Sequence, residues 1–80
     1  MPDTATLNGV IETIADTFAI DPAGLGPESV ADDVDGWDSV SHTMLMLALE
    51  DRFEITLSFE ETVRLPDLAA LASYIDAKRG

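Results

Sequence analysis

The sequence predicts an all-α fold: a small four-helix bundle, with three longer helices, a short third helix and a long loop between helices 1 and 2. Apolar residues recur at helical spacing in three separate stretches. Capping residues and prolines fall at the ends of those stretches. Polar–apolar alternation, the mark of a half-buried strand, is nearly absent; "FEITLSFE" at residues 53–60 comes closest. With 80 residues, the chain is expected to form one domain over 1–80, near the size at which a single core suffices.

In the first stretch Leu7, Val10, Ile11, Ile14 and Phe18 describe one helix face. The helix is expected over about residues 4–19, with Asp3 or Thr4 as N-cap and a stop near Asp21-Pro22. "DPAGLGPESVADDVDGWD", residues 21–38, reads as a loop punctuated by Pro22, Gly24, Gly26 and Pro27. Loops of this length in small domains are functional or disordered. Here Leu25, Val30, Val34 and Trp37 are apolar anchors, so the loop is expected to lie ordered across the helices.

The second helix is expected from Ser39 to Phe53, with Asp38 as its N-cap. At about 100° per residue, it is apolar on two sides. Leu45, Leu49 and Phe53, flanked by Met46, form one side. Val40, Met44 and Leu47, beside Thr43, form the other. Central burial is hard to arrange in so small a domain, so the second side is expected to face a partner. The S-x-x-E pattern of Ser58 to Glu61 is a capping box that opens a third helix ending near Leu65, before Pro66. Asp67 caps the last helix, whose inner face holds Leu68, Leu71 and Ile75. Lys78 and Arg79 complement its dipole and Gly80 follows.

Four basic against sixteen acidic side chains give a net charge of −12. That balance argues against nucleic acid and anionic membrane surfaces as partners and favours basic protein surfaces. There is no cysteine, hence no disulfide and no thiol chemistry from the chain itself. No apolar run approaches membrane-spanning length, and the N-terminal residues do not resemble a secretory signal. A cytoplasmic monomer is expected.

The chemistry centres on "GWDSVSHTML", residues 36–45. Ser39 and His42 are a turn apart, but a serine hydrolase needs an orienting acid and an oxyanion hole, and G-x-S-x-G is missing. A calcium loop fails as well. With Gly36 at the invariant glycine, Ala31 and His42 occupy the first and last ligand positions, which demand carboxylates. Crowding of Asp33, Asp35 and Asp38 leaves only a diffuse attraction for cations, so no metal site is expected. His42 reads as a partly buried imidazole with a hydrogen-bond partner, or as a contact for a phosphate or guest chain beside Ser39. Trp37 reads as a packing residue at the loop–helix junction. Ser39 itself lies in a first helical turn, where the dipole and free N–H groups favour a phosphate.

These residues carry a family resemblance. "DGWDSVSHTMLMLALEDRFEI" resembles the attachment region of acyl carrier proteins, through Asp38-Ser39-Val40, Ala48-Leu49-Glu50 and Phe53-Glu54-Ile55. The closing segment, with Leu68, Tyr74 and Ile75, resembles the last helix of that family. The resemblance implies a non-enzymatic carrier with 4′-phosphopantetheine on Ser39, placed there from coenzyme A by a separate Mg²⁺-dependent phosphopantetheinyl transferase. It implies that Asp38 and His42 lie near the arm, and that the arm's thiol holds acyl groups as thioesters. The helices are expected to part for some acyl chains. Val40, Thr43, Met44, Leu47, Glu50, Asp51 and Glu54 would face partners: acyltransferase- or ketosynthase-type or acyl-activating enzymes with basic docking surfaces.

Three positions depart from the fatty-acid type: Met44 where many such carriers have glutamate, Arg52 where they have an acid, and Glu54 where they have glycine. "GWDS" with a nearby histidine is more similar to stand-alone carriers of secondary metabolism, such as polyketide or methoxymalonyl-type extender pathways. A peptidyl or aminoacyl carrier would keep the arm and change the cargo. An unmodified acidic helical adaptor would use the same second-helix stripe and be indifferent to Ser39.

Overall fold

The computed structural model describes residues 3–30, 34 and 36–79. The expected loop carboxylates Asp33 and Asp35, and the closing Gly80, lie outside these. Among the described residues there are four α-helices and no strand: α1 (Thr4–Phe18), α2 (Ser39–Phe53), α3 (Phe59–Thr62) and α4 (Leu68–Arg79). Helix α1 lies against both α2 and α4. Val10 and Ile14 from α1, Leu45 and Leu49 from α2, and Leu71 and Ile75 from α4 meet in one buried core. The expected inner faces are therefore the buried ones. Gly9 of α1 is where the ring of Phe53 approaches; a Cβ there would lie 2.7 Å from its Cζ.

The caps follow the sequence closely. Asp3 accepts from the Ala5 N–H, Asp38 from Ser41 and Asp67 from Ala70. Helix α1 ends at Phe18, one residue before the expected limit, because Ala19 turns left-handed at φ 55°. The Ile20 N–H then reaches back to the Ala15 carbonyl. Helix α2 ends in the same way, with Glu54 left-handed at φ 55° and the Ile55 N–H on the Glu50 carbonyl. Both are six-to-one closures in which an isoleucine folds back toward the core.

Two elements differ from expectation. Pro22–Gly24 forms a 3₁₀ turn inside the loop, because Asp21 caps the Ala23 N–H and Pro22 is pre-shaped for a first helical position. Helix α3 is shorter than predicted. Beyond Thr62 the chain turns on three-residue hydrogen bonds, Arg64 to Glu61 and Leu65 to Thr62. Pro66 disfavours helical geometry at the residue before it. Only half of the capping box forms: Ser58 Oγ accepts from the Glu61 N–H, while the Ser58 N–H donates to the Tyr74 hydroxyl instead of to Glu61.

The loop lies across the bundle as expected where it is described. Leu25 and Trp37 pack against the core and Val34 is buried. Its backbone also completes the start of α4. The Leu68 N–H donates to the Ser29 carbonyl and the Ala69 N–H to that of Pro27. With Asp67 serving Ala70, three amides that a helix start leaves unpaired are satisfied. Pro27 and Ser29 are thereby fixed at the N-terminal end of α4.

Candidate functional site

Ser39 is the first residue of α2 and is exposed. Its carbonyl accepts from Thr43 Oγ1 at 3.0 Å. Its own hydroxyl bonds to no described residue. Capping falls instead to Asp38, whose carboxylate accepts from the Ser41 N–H at 2.9 Å. That bond, then one from the Ser41 hydroxyl, holds the Asp38 carboxyl below its ordinary pKa. Asp38 is thus an anion at neutral pH, and the cap does not use the hydroxyl of the serine beside it.

Ser39 stands at a cleft of about 520 Å³. His42 lines it from α2, Phe59 and Val63 come from α3 and the residue after it, and Leu68 and Leu71 belong to α4. An aromatic row leads into it from α1. Phe18 of α1 stacks on Trp37 at 5.3 Å, Trp37 stacks on His42 at 6.1 Å, and Phe59 meets His42 edge-on at 5.0 Å.

His42 is only 7% exposed and uses both ring nitrogens. Trp37 Nε1–H donates to its Nδ1 at 3.1 Å. An indole N–H is only a donor, so Nδ1 is unprotonated and Nε2 carries the hydrogen. Nε2 lies 2.9 Å from Thr62 Oγ1, which donates in turn to the Phe59 carbonyl. Burial pushes the imidazole below its ordinary pKa, in keeping with the neutral form. As a base for Ser39 this ring is already committed.

The second-helix stripe is open. Val40 is 70% exposed, Met44 59% and Leu47 61%. Thr43 and Asp51 are exposed on the same helix, and Glu54 is exposed just past its end. Glu50 departs from the expected partner face: it is half-buried, and its Oε2 accepts from the Leu57 N–H at 2.7 Å. It braces the turn between α2 and α3. Arg52 reaches the other way, to Glu12 of α1 at 3.2 Å.

Residues 8–75 match the family described as "Phosphopantetheine attachment site". The chain is 31% identical over 71 residues to the acyl carrier protein of Solidesulfovibrio magneticus, covering 89% of this chain and 91% of that one. It is 28% identical over 72 residues to the acyl carrier protein of Campylobacter curvus, covering 90% and 94%. The chain belongs to the acyl carrier protein family. Its cofactor is 4′-phosphopantetheine, and it is a carrier, not an enzyme. The matched region contains all of α2, α3 and the described cleft.

Four residues that line the cleft went unread in the sequence: Thr62, Phe59, Val63 and Ser29. Phe59 and Val63 carried a signal, being large apolar residues four apart in and just after a short helix, and both are exposed. Thr62 carried none, since its partner His42 is 20 residues away.

Proposed function

We propose that Ser39 is the attachment residue and that the carrier presents acyl groups to partner enzymes of polyketide or related secondary-metabolite synthesis. The observation that carries this reading is the exposed Ser39 hydroxyl at the start of α2, at the edge of the cleft and bonded to no described residue. The helix dipole favours the phosphate there, and Asp38, already engaged by Ser41, turns its charge toward the cap. When attached, the arm supplies the thiol that a cysteine-free chain lacks. Trp37, Phe59 and Val63 provide apolar walls beside it, and Val40, Met44 and Leu47 provide the dry centre of a docking face. Partner surfaces with basic rims suit a chain of net charge −12. The pathway assignment rests on the resemblance of "GWDS" and His42 to stand-alone carriers, and on Met44 occupying an exposed position where many fatty-acid carriers have glutamate.

The experiment is to isolate the carrier from its own host and treat it with neutral hydroxylamine, which cleaves thioesters. Release of a short, oxygenated acyl group is expected. Release of long saturated acyl chains would place it in fatty-acid synthesis, and release of an amino acid would make it an aminoacyl carrier. Either would overturn the pathway reading.

A further inference from the structure

We propose that His42 is an acid-sensitive latch that positions Trp37, and with it the segment leading into Ser39. The proposal rests on hydrogen-bond direction. Trp37 can only donate, and His42 Nδ1 accepts from it at 3.1 Å. A proton on Nδ1 would set two N–H groups against each other at that distance, so the bond cannot survive protonation. The bond on the opposite side differs. Nε2–H toward Thr62 is present in both the neutral and the charged ring, and the Thr62 hydroxyl donates its own hydrogen bond to the Phe59 carbonyl. Protonation therefore frees the loop side and leaves α3 tethered. Trp37 lines the cleft and lies two residues from Ser39, so its release alters the wall of the cleft and the approach to the serine.

Among the described residues, the surrounding charges do not offset this. Asp38 from the α2 cap and Asp67 from the α4 cap line the same cleft, but each carboxylate is engaged by an amide N–H. Glu60 and Glu61 of α3, and Arg64 after it, are exposed. The neighbour from α1 is uncharged: Phe18, stacked on Trp37. The partners of both ring nitrogens are likewise uncharged. Burial lowers the affinity of the ring for the proton, so the latch holds at neutral pH and opens on acidification.

The chain has one histidine and one tryptophan, so both reporters are unambiguous. The experiment is a pH titration of the unmodified, isotope-labelled protein by nuclear magnetic resonance. At neutral pH, the ring-nitrogen shifts should show hydrogen on Nε2 and none on Nδ1. As His42 protonates, the Trp37 indole N–H should lose protection from solvent exchange. Its opening should rise about tenfold per pH unit between the ordinary and the folded histidine pKa. The Thr62 amide of α3 should keep its protection across that step. His42→Gln can accept from Trp37 and donate to Thr62 without titrating, so it should keep the indole protected throughout. A hydrogen on Nδ1 at neutral pH, an indole unaffected by His42 protonation, or an equal pH response in His42→Gln would each overturn the latch. Its relevance to acyl transfer depends on Ser39 being the attachment residue, but these measurements do not. Failure of the latch and failure of the attachment assignment are therefore separately visible.

Discussion

Ala19 and Glu54 hold left-handed backbone at φ 55°, where a Cβ crowds the carbonyl that follows. Glycine relieves that crowding but adds freedom to the unfolded chain. The balance favours the substitution: Ala19→Gly should stabilise by about 0.5–1 kcal/mol, with a rise in Tm of about 4–8 °C per kcal/mol. Thermal unfolding followed by circular dichroism checks it. Both helix ends were located from the sequence to within a residue, yet the left-handed turn was hidden, because neither position carries the glycine that signals it. His42 shows a similar division. Its burial with a hydrogen-bond partner was one of its two sequence readings, whereas its partners Trp37 and Thr62 come from a loop and from a different helix. Their pairing is a product of packing that no local pattern encodes.

Helix α2 offers an internal comparison, since its two apolar sides meet different surroundings. Leu49 is fully buried and Leu47 is 61% exposed. Leu49→Ala should cost about 2–5 kcal/mol of stability, and Leu47→Ala should stay within about 0.5 kcal/mol of wild type. Urea unfolding of the two variants measures both. On the exposed side, Val40→Asp or Met44→Lys should slow turnover by partner enzymes several-fold while the unfolding midpoint stays near that of wild type. An equal loss of stability and turnover would mean the stripe is core. The two-sided character of α2 was legible because its spacing is strict. The shortened α3 was less so, since Pro66 acts on a segment of only a few residues. Glu50 could not be placed from its position on the helix, because its role is set by the turn after α2 folding back onto it.

Across the whole molecule, a net charge of −12 makes compactness sensitive to salt and pH. Added salt should raise Tm by screening self-repulsion, and should slow association with basic partners. Acid should act in two stages. The lowered His42 pKa means the folded state resists that proton, so the contribution of His42 is complete above about pH 6.5 and falls as pH drops from there toward the folded value. The second stage comes from carboxylates. Asp76, on α4, accepts from the Asp3 N–H at the start of α1 and from Thr6 Oγ1, and these bonds hold its pKa low. Its stabilisation is present above about pH 4 and is lost as pH falls through the lowered value. Unfolding midpoints measured between pH 8 and 3 (with His42→Gln removing the upper stage alone) resolve the two.

The central claim concerns one hydroxyl. The direct measurement is intact mass after incubation with coenzyme A, Mg²⁺ and a broad-specificity phosphopantetheinyl transferase, comparing wild type, Ser39→Ala and Ser41→Ala. Wild type and Ser41→Ala should each gain one phosphopantetheinyl group and Ser39→Ala none. A wild-type chain that gains nothing, or a Ser39→Ala chain that gains as much as wild type, would contradict the account.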